Sequence, residues 1–186
     1  MPVALGLTNK SGGGGNVSNT NDKGENKFSS SSNRLSGNNN NRLDTISKRN
    51  HAAAIEAETL LWRALCDSPE AAKEYLAEDC IMVNPLFAGT DQPLSKSTSP
   101  SLDKILDACG RPWIAYKFHG QPLVVEVDLM AVALVYRLSL FRQSRNGKGL
   151  KEVQATASSA WRQTAGADWL LCAMHVAYAE GDEDEE

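Results

Sequence analysis

The sequence predicts an α+β domain in which three N-terminal helices pack on one face of a curved, mostly antiparallel sheet. Two observations support this prediction. Helical spacing of apolar residues is confined to the stretch from residue 51 to about 110, and alternation with a period of two follows it as far as residue 178. All four Trp and all four Tyr also fall between residues 51 and 179. We therefore predict one folded domain over residues 51–179.

The segments outside this domain have compositions that favour disorder. Residues 1–50 are rich in Gly, Ser and Asn, and they cannot bury enough apolar area to offset the entropy cost of ordering. Their positive charges are thinly spread, so we expect a solvated arm and no nucleic-acid partner. Residues 180–186 form an acidic tail, which we expect to be a solubilising end.

The helices are predicted from apolar spacing and capping residues. From His51 to Cys66 apolar positions recur every three or four residues, which indicates an amphipathic helix. Ser68 followed by Pro69 is a favoured helix start and predicts a short second helix. Ser101 is expected to cap a third helix that ends at Gly110.

The strands are predicted from β-branched runs and from alternation. The run Ile81 to Val83 ends at Asn84-Pro85, which indicates a short strand followed by a long loop up to about Pro100. The Asn146-Gly147 pair lies between the two longest strands and predicts a hairpin turn. The remaining predicted strands are Trp113–His119, Leu123–Asp128, Met130–Gln143, Lys151–Gln163 and Trp169–Tyr178.

Composition excludes several classes of function. The net charge is −4, and no apolar run approaches the roughly 20 residues that span a bilayer, so we expect no membrane partner. The four cysteines have wide, irregular spacing with no CxxC pair and no neighbouring His, which indicates reduced, mostly buried thiols and no metal site. We therefore predict a cytoplasmic protein, with the nucleus as an alternative location, and no cofactor.

Four stretches of the predicted domain form a recognisable pattern: LWRAL at 61–65, YLAEDCIMVNP at 75–85, SSAWR at 158–162 and WLL at 169–171. In these stretches the chain resembles the nuclear-transport-factor-2-like superfamily, in particular its SnoaL-like and ketosteroid-isomerase-like branch. The resemblance implies a cone made of a bent sheet and three helices around a pocket, commonly dimeric through the outer face of the sheet. It does not fix a reaction, because the superfamily includes isomerases, dehydratases, cyclases and proteins that only bind or assemble.

Two positions differ from those that the isomerase branch requires. The resemblance places the general base of that branch at Asn84, and an amide cannot accept a proton near neutral pH. It places the acid that stabilises an oxyanion at Ser159, whose hydroxyl donates without acidic character. We therefore predict no catalytic residue of the isomerase type.

The polar residues that remain among apolar ones are candidates for binding a ligand. Tyr136 is in phase with an apolar face of the longest strand, and it is either a core tyrosine or the polar feature of a cavity. His175 follows the alternation of Trp169 and Leu171 and is expected on their face, with a histidine bonded to backbone as the alternative. The predicted ligand-binding residues are Trp62, Asn84, Tyr136, Ser159, Trp161 and His175.

Three functions remain open. The first is a domain that binds a small apolar or aromatic molecule in its cone. The second is an enzyme of the cyclase or dehydratase type that uses His175 with Tyr136, and the third is a non-catalytic assembly or adaptor domain. We favour binding over catalysis because catalytic carboxylates are missing. We also expect a homodimer through the sheet, because both faces of the strand at 130–143 carry apolar residues.

Overall fold

A computed structural model of the chain describes residues 37–144 and 149–179, with side chains from Asp44 onward. The helical elements are α1 at Gly37–Asp67, a 3₁₀ helix at Pro69–Tyr75, α2 at Pro85–Ala88 and α3 at Leu102–Ala108. The strands are β1 at Leu76–Val83, β2 at Ala115–Phe118, β3 at Leu123–Asp128, β4 at Ala131–Gln143, β5 at Leu150–Gln163 and β6 at Trp169–Tyr178. The predicted disorder of residues 1–36, the acidic tail 180–186 and the turn at Asn146-Gly147 lie outside the described residues.

The six strands form one mixed sheet in the order β1-β6-β5-β4-β2. β4, β5 and β6 are antiparallel neighbours, whereas β1 lies parallel to β6. β2 pairs with residues 138–141 of β4 and β3 pairs with residues 131–135, so that two short strands share one side of β4. The helices followed by this open, mostly antiparallel sheet confirm the predicted α+β fold class.

The core lies between α1 and one face of the sheet, which we call the inner face. α1 contributes Leu61, Trp62 and Leu65, which are all fully buried. The inner face contributes alternate residues of β4 and β5, such as Leu134 and Trp161. Burial of this apolar area, at about 25 cal/mol per Å², is the main force that holds α1 on the sheet. In the part of the chain that the structure describes, no helix is long and apolar enough to cross a membrane.

Helix α1 begins at Gly37, well before the predicted start at His51. Tertiary contacts explain part of the difference. Asn50 is 5% exposed and donates from Nδ2 to the Leu129 carbonyl at 2.7 Å, and His51 Nε2 lies 3.3 Å from a carboxylate oxygen of Glu126. Residues 37–50, which we predicted as part of a disordered arm, are therefore helical, and this part of the prediction is wrong.

The elements after α1 differ from the prediction mainly in their boundaries. The second helix is a 3₁₀ helix, and β1 begins at Leu76 rather than at Ile81. The predicted loop after Asn84 is wrong at its start, because Pro85–Ala88 form the short helix α2, with Pro85 at its first position. Ser68 precedes the 3₁₀ helix as predicted, but its side chain makes no capping hydrogen bond. Ser101 caps α3 as predicted, because its side chain accepts a hydrogen bond from the Lys104 backbone N–H at 3.4 Å.

Strand β6 contains a bulge that the sequence does not reveal. Ala160 of β5 pairs with Ala173, but the next residue, Trp161, pairs with Leu171, so that Cys172 is an extra residue in β6. One extra residue reverses the alternation of all the residues that follow it in the strand. Before Cys172 the odd-numbered residues of β6 point to the inner face, and after it the even-numbered residues do.

Candidate functional site

A cluster of polar side chains lies in the core between α1 and the inner face of the sheet. Its centre is Glu58 of α1, which is 0% exposed. The hydroxyl groups of Tyr136 and Ser159 donate to Oε1 and Oε2 of Glu58, and Trp161 donates from Nε1 to Oε2 at 2.6 Å. Trp62 donates from Nε1 to the Tyr136 hydroxyl oxygen at 2.7 Å. We call these five residues the Glu58 cluster.

The periodicity of each element brings the cluster together. Glu58 and Trp62 are four residues apart in α1 and share one face of the helix. Ser159 and Trp161 are two residues apart in β5 and share the inner face of the sheet. Tyr136 comes from β4, the antiparallel neighbour of β5. Four of the six predicted ligand-binding residues therefore meet around one carboxyl group.

Glu58 itself is the residue that our sequence analysis missed. The buried stripe of α1 runs through Ala54, Leu61 and Leu65. Glu58 falls within this stripe, four residues after Ala54 and three before Leu61, so that the helix must bury it. A charged residue in phase with an apolar stripe is the signal that could have identified it.

Burial controls the protonation of the cluster. It raises the pKa of the Glu58 carboxyl above its ordinary value, although the hydrogen bonds from Ser159, Tyr136 and Trp161 act in the opposite direction. Burial and the neighbouring carboxyl also raise the pKa of the Tyr136 phenol. The hydrogen bonds of Glu58 come from hydroxyl and indole donors rather than from a cation. The cluster can therefore hold a proton at Glu58, which an ordinary surface glutamate would release.

Asn84 lies apart from the Glu58 cluster, between β1 and α2. It is 1% exposed, and neither Oδ1 nor Nδ2 has a hydrogen-bond partner among the described residues. Asparagine is a favoured capping residue, but this side chain does not cap α2. The Asn84 carbonyl instead accepts from the backbone N–H groups of Phe87 at 3.1 Å and Ala88 at 2.9 Å. An unpaired buried amide costs about 1–3 kcal/mol of folding free energy.

The register of the sheet relates Asn84 to the Glu58 cluster. Extension of the β1–β6 pairing by one residue places Asn84 beside Val176. Val176 pairs with Ala157, and Ala157 pairs with Tyr136. Asn84 and Tyr136 therefore lie on one row of the inner face, separated by three strand spacings or about 14 Å along the sheet.

His175 does not join the other predicted residues. Met174 and Val176 are buried on the inner face, and His175 between them is exposed on the opposite face of the sheet. The expectation that His175 shares a face with Trp169 and Leu171 is wrong, because the bulge at position 172 reverses the alternation. His175 is paired in register with Ser158 of β5 and Val83 of β1.

Two grooves open on the surface beside α1. One has a volume of about 590 Å³, lies between α1 and β2, and is lined in part by Leu60, Tyr116 and Phe118. The other has a volume of about 390 Å³ and is lined in part by Tyr75 and Trp169. Neither groove is lined by Asn84 or by a member of the Glu58 cluster.

The cysteines of the described residues are free thiols. Burial raises the pKa of Cys66 to about 11 and that of Cys80 to about 12, so both remain protonated near neutral pH. Within residues 37–144 and 149–179, no group of three or more His, Cys, Asp or Glu side chains could hold a metal ion. Cys66 and Cys80 are therefore not activated as nucleophiles.

No protein-family model and no curated protein matches the chain in sequence. Among solved structures, the association domain of CaMKII from C. elegans is 15% identical, with a TM-score of 0.57 over 70% of this chain and 96% of that chain. A nuclear transport factor 2-like superfamily protein from Salmonella enterica is 10% identical, with a TM-score of 0.57 over 75% of this chain and 99% of that chain. A scytalone-dehydratase-like protein from Novosphingobium aromaticivorans is 11% identical, with a TM-score of 0.57 over 75% of this chain and 88% of that chain. At such identities the comparisons show the fold, and the chain has the fold of the nuclear-transport-factor-2-like superfamily, as its sequence resemblance implies.

Proposed function

We propose that this domain binds a small, largely apolar or aromatic molecule inside its cone. The observation that carries the proposal is the buried side-chain amide of Asn84, whose two polar atoms have no hydrogen-bond partner within residues 37–144 and 149–179. Buried polar groups in folded proteins are almost always paired, so an unpaired one indicates that a further group completes the site. A few polar groups on an apolar wall are typical of small-molecule sites.

The inner face between Asn84 and Tyr136 supports this proposal. The two residues that lie between them on the same row are Val176 and Ala157. Both are apolar, and the single methyl group of Ala157 leaves more space above the sheet than a larger side chain would. An elongated or planar molecule that lies on this floor could contact Asn84 at one end and the hydroxyl of Tyr136 at the other.

The enzyme alternative receives less support. It requires His175 and Tyr136 to act on one substrate, and the two side chains lie on opposite faces of the sheet. Asn84 cannot serve as a general base near neutral pH. We therefore favour binding without catalysis.

The binding proposal is tested by a thermal-shift screen with a panel of uncharged aromatic compounds. A ligand present at 100 times its Kd should stabilise the chain by about 2.7 kcal/mol. Ala157→Met fills the floor of the cone and should abolish the shift, whereas Ala52→Met, at an exposed position of α1, should preserve it. Equal shifts in both variants would show that the ligand binds elsewhere.

A second proposal, self-association through the outer face of the sheet, rests on a different observation. This face carries two rows of side chains across the strands, which we call the outer-face rows. Apart from His175, every member is apolar or an uncharged serine, and Leu123, Val125 and Ile81 are 71%, 55% and 50% exposed. The first row is Leu123, Val135, Ser158, His175 and Val83, and the second is Val125, Ala133, Ala160, Ala173 and Ile81.

A second copy of the chain is the partner that fits the outer-face rows. An exposed apolar patch of this kind is typical of protein interfaces, and two identical patches can pair about a twofold axis. The similarity in fold to an association domain of CaMKII supports the same conclusion.

Light scattering at micromolar concentration tests the self-association proposal. The wild-type chain should have the mass of a dimer, and Val135→Lys should reduce it to that of a monomer because it places a charge in the interface. Ile114→Lys is the matched control, since Ile114 is 41% exposed and lies beside the groove between α1 and β2. A monomeric wild-type chain would contradict the proposal.

A further inference from the structure

We propose that the cone selects uncharged ligands that present a hydrogen-bond donor and an acceptor side by side on one edge. Lactams, primary amides and amide-containing heterocycles have such an edge. This inference rests on the proposed binding function, because it names the chemical class that the same interior would take. It starts from the buried side chain of Asn84, whose Oδ1 and Nδ2 both lack partners in the part of the chain that the structure describes.

The two polar atoms of Asn84 belong to one planar group. Oδ1 accepts and Nδ2 donates, and the two atoms project from the same carbon. A ligand that pairs with both atoms at once must present the reverse pair at the same spacing, and a cis amide has this geometry. Asparagine reads the edge of adenine in DNA by the same bidentate pairing.

The capping geometry leaves the Asn84 side chain available for this role. An asparagine before a helix usually accepts a hydrogen bond from the first turn through its side chain. Here the backbone carbonyl of Asn84 accepts from Phe87 and Ala88. A ligand with only an acceptor or only a donor would leave one amide atom of Asn84 unpaired and would keep part of the desolvation penalty.

The Glu58 cluster argues for an uncharged ligand. The carboxyl of Glu58 is buried on the same side of the sheet, and its hydrogen bonds come from Tyr136, Ser159 and Trp161 rather than from a cation. A carboxylate ligand would bury a charge in this interior, where Glu58 has no cation beside it, and would present two acceptors to Asn84. A neutral amide avoids both costs.

Asn84 is buried, so a ligand reaches it only when a neighbouring element moves, and α2 is the element that follows it directly. This helix spans only Pro85–Ala88, and Trp113 holds it by donating from Nε1 to the Leu86 carbonyl at 3.1 Å. The sheet pairs of β6 with β5 and of β1 with β6 do not involve α2. Displacement of α2 would therefore admit a ligand without breaking the sheet.

The test compares three bicyclic probes of similar size on the full chain, by calorimetry and ligand-observed NMR. The first, 2-quinolinone, has N–H beside C=O. The second, N-methyl-2-quinolinone, lacks the donor, and the third, quinoline, has an acceptor alone. We expect 2-quinolinone to bind at least about tenfold more tightly than the other two, and Asn84→Leu to remove the difference.

Asn50→Leu is the matched control, because its buried amide is engaged with the Leu129 carbonyl at 2.7 Å. This variant should lower the melting temperature and keep the preference among the probes. Asn84→Leu should melt no lower than the wild type, because it removes an unpaired amide, so a loss of binding cannot be attributed to unfolding.

Two results would overturn the inference and leave the binding function intact. One is equal affinity for all three probes. The other is failure of all three probes to bind while a different aromatic compound from the thermal-shift panel binds to the wild type and does not bind to Ala157→Met. Failure of the whole panel would instead contradict the proposed function. If Asn84→Leu still bound 2-quinolinone more tightly than the other two probes, another residue would form the hydrogen bonds to its amide edge.

Discussion

Glu58 and Asn84 are two buried polar residues with opposite hydrogen-bonding states. The carboxyl of Glu58 accepts hydrogen bonds from three side chains, whereas the amide of Asn84 has no partner among the described residues. An ionised Glu58 matches its donors, because all three point at its oxygens. A protonated Glu58 must turn one hydroxyl away, but it avoids a buried charge. The raised pKa of Glu58 indicates that burial has the larger effect.

This balance predicts the pH dependence of stability. Because the folded state raises the pKa of Glu58, it keeps a proton that the unfolded chain releases above the ordinary value of 4.5. The contribution of Glu58 to stability should therefore fall as pH rises through the raised pKa, by at most about 1.4 kcal/mol per pH unit. Glu58→Gln lacks this titration, so its unfolding free energy should decrease less steeply with pH than that of the wild type.

Urea denaturation at intervals from pH 5 to pH 9 measures the difference. Glu56→Gln, at an exposed position of the same helix, should follow the wild-type curve. Parallel curves for wild type and Glu58→Gln would mean that Glu58 does not titrate differently in the folded state.

At the scale of elements, the sequence predicts strands well where alternation is regular. The predicted β3 at Leu123–Asp128 and β6 at Trp169–Tyr178 agree with the structure at both ends. The sequence could not predict which side chains of β6 point to the core beyond Cys172, because a bulge depends on the pairing between two strands rather than on the residues of one strand. His175 was therefore assigned to the wrong face. Trp62, Tyr136, Ser159 and Trp161 lie in elements without this bulge, and they meet at one site.

The length of α1 was underestimated for a related reason. Residues 37–50 are polar and lack an apolar stripe of their own, so their composition alone indicates disorder. Asn50 and His51 make contacts with Leu129 and Glu126 that are more than 70 residues away in sequence. Such contacts extend a helix beyond its amphipathic part, and sequence periodicity does not contain them.

The bulge in β6 gives a prediction about this strand. Insertion of one alanine between Ala173 and Met174 would reverse the alternation once more, so that Met174 and Val176 would turn outward and the core would lose two buried side chains. We expect a loss of at least about 3 kcal/mol in unfolding free energy, or a chain that no longer unfolds cooperatively. Cys172→Ala keeps the residue count and should lose less than about 1 kcal/mol. Urea denaturation followed by circular dichroism distinguishes the two, and equal stability of the variants would show that the number of residues in β6 does not decide which side chains face the core.

For the whole molecule, the outer-face rows place His175 on the surface that the proposed second copy would cover. It is the one polar ring among the ten members of these rows, and its neighbours in register, Ser158 and Val83, are uncharged. If a second copy covers this face, a charged side chain at position 175 would lie in an apolar interface.

We therefore expect His175→Lys to weaken self-association and His175→Leu to preserve it, because only the first places a charge in the proposed interface. Sedimentation velocity at micromolar concentration measures the effect. Dimers of equal stability in the two variants would show that position 175 lies outside the interface, without contradicting the dimer itself.

The Glu58 cluster also constrains the order in which the chain can fold. Its hydrogen bonds join α1 to residues 78, 101 and 103 positions further along the chain. Closing loops of this size is slow, and the carboxyl of Glu58 has no hydrogen-bond donors to replace water until β4 and β5 are in place. We therefore expect the first helix of the domain to be among the last elements to dock, because Glu58 must exchange water for hydroxyl and indole partners that only an assembled sheet provides.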